Sequence, residues 1–339
     1  VHGYLVRIAP LLTLSDFVYI PYTPDLTEAG NLYACRCLAL DLVQASNLDL
    51  APLRRLSAEI AADLSLRRYL AQQHISIKFL DTEPFTHPDR TETILGGRPC
   101  HVINALIARK SYIDRIKGNP EALLSAPASV PETTLSSERW GYQDLLIFTI
   151  TVGMPKASGQ SSNEAEAKSD LEYLIYIMPE TWQKNSLKGV SLDLATQSSS
   201  DGEIALEFGG QASNRDFVSQ NIRLPLNLSE TPAHRFTRLA YLSTRHKPTT
   251  TISIHDPRYK RTLHITPSQW SSLWIDGGKI ILAGYIEVGE FRRRAHRFRP
   301  SAHTWKFDYP APPSLSIPTQ DLLPLPQLIA WLRWIQESR

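Results

Sequence analysis

Apolar positions recur at helical spacing twice near the start of the chain and mostly at strand spacing after that. In residues 23–47, TPDLTEAGNLYACRCLALDLVQASN, the residues Leu26, Leu32, Cys35 and Leu38 fall near a 3.6-residue period. That predicts a helix, with Asp25 or Thr27 as its cap. Residues 49–73 predict a second helix, with Leu53, Leu56, Ile60 and Leu64 as its stripe. Asp49 can cap it, and Pro52 suits its first turn. ISIKFL (75–80) then alternates as a strand does, and the polar turn DTEPFTHPDR follows.

The stretch TETILGGRPCHVIN (91–104) reads as a hairpin. Gly96-Gly97 suits the positive backbone angles of a two-residue turn, which fixes the register: position 95 pairs with 98. Glu92 then lies opposite His101, and Arg90 opposite Ile103. Strand alternation puts these four on one face with Ile94 and Pro99. Thr91, Thr93, Leu95, Cys100, Val102 and Asn104 take the other.

Further along, a short helix is expected over 109–117 and another from Asn119-Pro120 through Leu124. DLLIFTIT (144–151) predicts a buried strand. Residues 153–170 read as a polar mobile loop, and LEYLIYIM (171–178) as a strand. Residues 186–235 are β-rich, with short alternating segments between Ser, Gly and Asn clusters. TTTISIHD (249–256) and KRTLHIT (260–266) predict a hairpin around Pro257-Arg258, with His255-Asp256 in the turn. KIILAGYIE (279–287) reads as a strand, VGEFRRRAHRF (288–298) as a short basic helix, and the proline-rich tail as ending in an apolar helix. The mixed order gives a fold class of mixed α/β or α+β. The expected organisation is a core over 1–152, the loop 153–170, a β-rich region over 171–307 acting as an insertion or second subdomain, and a tail over 308–339.

Composition narrows the setting. The 339 residues are 42% hydrophobic, enough for a large core, and carry three cysteines. An odd count with a Cys35-x-Cys37 pair does not suggest a disulfide framework, so a reducing cytoplasm is the expected location. The net charge of +2 argues against nonspecific binding of polyanions. Near the N-terminus, Arg7 and Pro10 interrupt the apolar residues, so no membrane association is expected there. The chain has no phosphate loop, dinucleotide fingerprint, Gly-x-Ser-x-Gly or His-Glu-x-x-His, which leaves kinase, dehydrogenase and zinc-protease readings without support.

Four features carry candidate chemistry. Glu92 and His101 on one hairpin face can form an acid–base or metal-binding pair, or a plain cross-strand pair. EFRRRAHRFRP (290–300) holds five arginines; in a helix Arg293 and Arg297 share a face beside Arg292 and His296, and such a cluster contacts phosphate or is a solvated surface. Trp270 and Trp274, four apart on an expected short helix, stack on bases or pack in a core. Cys35, Cys37 and Cys100 lack zinc spacing and read as buried thiols.

The order of elements, with FTHPDRTETILGGRPCHVIN at its centre, resembles the restriction-endonuclease-like, or PD-(D/E)xK, nuclease core. The resemblance covers about residues 25–152. It implies that Glu59 is the helix acid, Glu92 the first strand acid, and that His101 stands at the second acid and Ile103 at the lysine. It also implies Mg²⁺ as cofactor, DNA as partner and metal-assisted phosphodiester hydrolysis if the site works. Arg90, Arg292, Arg293 and Arg297 would contact nucleic acid. Ile103 carries no charge and no transferable proton, so the expectation is an inactive or atypical member with a DNA-associated or defence role. The alternative is a non-enzymatic interaction or scaffold protein that uses its β-rich region and tail to hold protein partners.

Overall fold

The computed structural model describes residues 12–79, 93–136, 140–156, 172–183, 193–196, 203–225, 236–256, 260–298 and 313–338. In chain order the first elements are β1 (Val18–Pro21), α1 (Pro24–Ala39), α2 (Ala51–Gln72), β2 (Lys78–Phe79), β3 (Thr93–Leu95), β4 (Arg98–Ile107) and α3 (Lys110–Gly118). They are followed by β5 (Pro127–Pro131), α4 (Glu132–Leu135), β6 (Leu145–Pro155), β7 (Leu174–Ile177), α5 (Glu180–Gln183), β8 (Asp193–Thr196), β9 (Glu203–Gln211) and β10 (Phe217–Pro225). The remainder are β11 (Arg238–Thr244), β12 (Ile252–Asp256), β13 (Arg261–Ile265), β14 (Ser271–Ser272), β15 (Ile275–Glu287), α6 (Val288–Arg294), β16 (His296–Arg297), β17 (Ser314–Pro318) and α7 (Leu325–Glu337). Helices and strands are both abundant and the main sheet combines parallel and antiparallel pairs, so the class is mixed α/β, as the hydrophobic pattern predicted.

The chain divides into two units, and the division is discontinuous where contiguous segments were expected. The first comprises 1–22, 61–154 and 277–339; the second comprises 23–60 and 155–276. The reason is β15, whose long apolar run pairs antiparallel with β1, Val18 to Leu282 and Ile20 to Ile280. Strands from both ends of the chain thereby join one sheet.

The first unit is built on a six-stranded sheet of order β1-β15-β6-β4-β3-β2. β2, β3 and β4 form an antiparallel meander. β4 and β6 run parallel, Cys100 beside Leu145 through Ile107 beside Val152. The crossover between them contains α3, where parallel pairing requires a long connection. β6 is buried along nearly its whole length, as expected of a strand with neighbours on both sides. A cluster of Leu146, Phe148, Ile150, Ile281, Ala283, Phe291 and Ile317 fills one face. A small sheet of order β16-β17-β5 completes the unit.

The second unit has a five-stranded antiparallel sheet of order β10-β9-β11-β7-β14 and a three-stranded one of order β13-β12-β8. The smaller sheet brings Ile252, Ile254 and Ile265 against Leu206, Phe208 and Leu242. A separate cluster joins Ala34, Cys35, Leu38 and Leu53 of the helices to Ile175, Ile177 and Tyr241.

Several local expectations need correction. α1 starts after Thr23 with Pro24 in its first turn, so Asp25 and Thr27 lie inside the helix. It stops at Ala39 because Asp41 takes a φ of +60° and the Leu42 N–H turns back to Cys37 O at 2.9 Å. Asp49 does serve α2, accepting the Ala51 N–H at 3.0 Å. The segment after Pro120 is a short 3-10 turn to Leu123. His255 and Asp256 lie in β12, paired with Thr262 and Arg261 of β13. The turn at Pro257-Arg258 lies outside the described residues, as does most of the loop over 153–170, but β6 itself runs on to Pro155. Trp270 and Trp274 are not on a helix. Pro267–Gln269 makes one 3-10 turn closed by a Thr266 capping box, and β14 follows it. Both tryptophans are buried, in different clusters.

Candidate functional site

The hairpin forms in the register its turn dictates. Gly96 and Gly97 take φ of +60° and +89°, and the pairs are Leu95 with Arg98, Ile94 with Pro99 and Thr93 with Cys100. Thr93, Leu95 and Cys100 are buried, while Ile94 and Pro99 on the other face are half-buried. Burial pushes the Cys100 thiol well up; nearby Asp63 adds to this and Arg67 opposes it. All three cysteines are free and buried. Burial likewise raises the Cys35 thiol, against a hydrogen bond from Tyr173.

Arg90 and Glu92 lie outside the described residues. His101 has a different carboxylate at hand. Its Nε2 is 3.2 Å from Oδ2 of Asp144, and both side chains are about nine-tenths buried, with 10% and 9% exposed. The parallel register explains the meeting. His101 sits beside Leu146, and Asp144 lies just before β6 begins. The same Oδ2 accepts the Gly141 N–H at 2.8 Å. Trp140 stacks on the His101 ring, with centroids 4.4 Å apart and planes 20° apart. The Asp144 carbonyl accepts the Val288 N–H at 2.9 Å, which ties this loop to the start of α6.

These contacts immobilise the imidazole. They also place it at the start of two parallel strands, whereas open α/β sheets bind ligands beyond the strands' carboxyl ends. The described donors, His101 and Asp144, do not by themselves supply the several hard oxygens in octahedral geometry that Mg²⁺ asks for. Here one carboxylate oxygen already meets a backbone N–H and an imidazole. Among the described residues no group of three or more His, Cys, Asp or Glu side chains could hold a metal ion.

Ile103 is half-buried and packs against the apolar cluster of the first unit. Lys110 opens α3 in the open, beyond the far end of β4. Six residues of strand, roughly 20 Å at strand rise, separate His101 from Ile107, so Lys110 does not stand in for the lysine that the resemblance asks for at Ile103. Glu59 is half-buried on α2, in the part counted with the second unit.

The arginine segment is helical only to Arg294. Ala295 is extended, with ψ of 140°, so Arg293 and Arg297 do not share a helical face. His296 and Arg297 instead pair with Ser316 and Leu315 of β17. Each of the four described guanidiniums has a partner. Arg292 donates to the carbonyls of Leu135 at 2.7 Å and Trp140 at 3.3 Å and lies 5.4 Å from the Tyr142 ring. Arg293 pairs with Glu290, Arg294 with Asp321 at 3.2 Å, and Arg297 with Glu132 at 2.9 Å.

Asp144, Trp140 and Tyr142 were not singled out from the sequence. The one signal available was Asp144 opening the apolar run it was grouped with. Among the described residues no helix is long and apolar enough to cross a membrane. No family model, no curated protein and no solved structure matches the chain.

Proposed function

We propose that the chain is a DNA-associated protein on a restriction-endonuclease-like frame, acting by binding rather than by phosphodiester cleavage. The succession α2, β2, β3, β4, α3 and, after β5 and α4, β6, with its hairpin and parallel return strand, supports the frame. The observation that carries the non-cleaving reading is Ile103, which gives its side chain to the core at the position where the resemblance asks for a lysine. His101, at the second acid position, is occupied by Asp144 and Trp140. Arg293 and Arg297 keep about three quarters of their side chains in solvent, which supports contact with phosphate.

The test is a cleavage assay with Mg²⁺ and Mn²⁺ on duplex, nicked and single-stranded DNA, run with the wild type and Glu92→Ala. The expected result is no turnover by either protein, with binding that weakens as salt rises. Cleavage by the wild type that Glu92→Ala abolishes would overturn the non-cleaving reading.

One observation favours a second reading, a protein-interaction role. Among the described residues β10 pairs on one side only, with β9, and its nine residues carry a single charge, Arg223. Such an edge can accept a strand from a partner. Asn221→Pro would remove a backbone donor there and abolish strand addition, leaving DNA binding unchanged.

A further inference from the structure

We propose that the surface formed by Tyr142, α6 and β16 binds single-stranded nucleic acid, with the Tyr142 ring as a stacking platform and Arg293 and Arg297 as phosphate contacts. This rests on the DNA-association reading above and narrows it to one form of the polymer.

The first observation is the tyrosine. Tyr142 is 72% exposed, among the most exposed large hydrophobic side chains described. Yet it is held firmly. Its carbonyl accepts the Gly289 N–H at 2.9 Å. A Cβ at position 289 would come within 2.8 Å of the ring, so glycine is what lets the ring lie against α6. The Arg292 guanidinium lies over the ring and is itself fastened to two backbone carbonyls. A fixed ring backed by a cation, with most of its area in water, contributes little to folding. It is already arranged to receive a flat partner, and base–aromatic stacking tolerates any sequence because every base has a π-face.

The second observation is charge. Arg293 follows, on α6, the Arg292 that covers the ring, and it is exposed, as are His296 and Arg297 of the adjoining β16. Four guanidiniums, at 292, 293, 294 and 297, face three carboxylates, Glu132, Glu290 and Asp321. Arg292 is the one held by carbonyls. Surface ion pairs contribute little, so phosphate oxygens can replace Glu290 and Glu132 at small cost.

The ring decides between strand forms. Duplex phosphates could engage the arginines, but duplex bases are stacked and their faces are closed to Tyr142. An unpaired base offers the face the ring needs.

The experiment is fluorescence anisotropy on the full chain, with a labelled oligothymidylate and a labelled duplex of equal length, across a salt series. The expected result is tighter binding of the single strand, lost about ten-fold in Tyr142→Ala and kept in Tyr142→Phe. Arg293→Ala and Arg297→Ala are each expected to lower the salt slope by about one. Duplex binding at least as tight as single-strand binding, indifferent to Tyr142→Ala, would overturn this inference and leave DNA association standing. Equal losses in Tyr142→Phe and Tyr142→Ala would overturn the stacking role. Absence of binding to either form would overturn both readings and turn the surface toward a protein partner.

Discussion

His101 with Asp144 and Arg297 with Glu132 are both pairings of a basic side chain with a carboxylate, at similar distances of 3.2 and 2.9 Å. Their settings are opposite. The first pair is nearly buried, stacked under Trp140 and shared with a backbone N–H. The second leaves about three quarters of its arginine in water. Distance alone would rank them alike, but burial separates their roles. A buried polar group that loses its partner keeps its desolvation cost, whereas an exposed one turns to solvent or to another anion. The buried pair therefore holds the structure, and the exposed pair is free to exchange partners.

Five substitutions test that contrast, from the largest effect to the smallest. Asp144→Ala strips the acceptor from both His101 and the Gly141 N–H, and a loss of about 3 kcal/mol in denaturant unfolding is expected. A loss within about 0.5 kcal/mol, ordinary for a surface change, would show that the pair does not carry this loop. Gly96→Ala meets both a left-handed backbone and the Trp331 ring 2.8 Å away, so about 2 kcal/mol is expected. Gly97→Ala shares the backbone problem but enters open space, and should cost about 1 kcal/mol, which isolates the ring's contribution.

Asp276 lies between the two extremes. Burial raises its pKa, and Lys156 only partly opposes this. Its folded value thus exceeds its unfolded one. The cost of the charged form is present above the folded pKa and fades as pH falls through it toward the unfolded pKa. Asp276→Asn should stabilise slightly at neutral pH, and the gain should vanish in acid when unfolding midpoints are compared across pH. Smallest of all, Arg297→Ala should change stability by less than about 1 kcal/mol. Its effect should instead appear in the salt dependence of nucleic-acid binding.

The described part of the hairpin was legible because its register is local chemistry: two glycines specify the turn, and the turn specifies the three described pairs. The mixed fold class was legible from hydrophobic periods. Asp144 was not, because it stands 43 residues from His101 and only the β4–β6 register joins them. The basic helix was overextended because His296 and Arg297 read in sequence as a continuation of the arginine run before them. What ends the helix is pairing of His296 and Arg297 with β17, a partner that is remote in sequence. The tryptophans misled for a related reason. A spacing of four fits a helix, but Pro267 and a two-residue strand can produce it as well.

The contact between the hairpin turn and the last helix has a consequence for the order of assembly. Trp331 of α7 covers Gly96 and lies 5.0 Å from the Arg98 guanidinium, and Arg98 also reaches Glu287 at 2.6 Å. During synthesis the hairpin emerges long before either partner. It must wait, with its turn uncovered, until β15 and then α7 have been made. Contacts spanning that much chain are slow to close and leave intermediates with exposed edges. The first unit should therefore acquire native protection late and all at once, and hydrogen exchange at the Gly96 turn would time the arrival of the final helix.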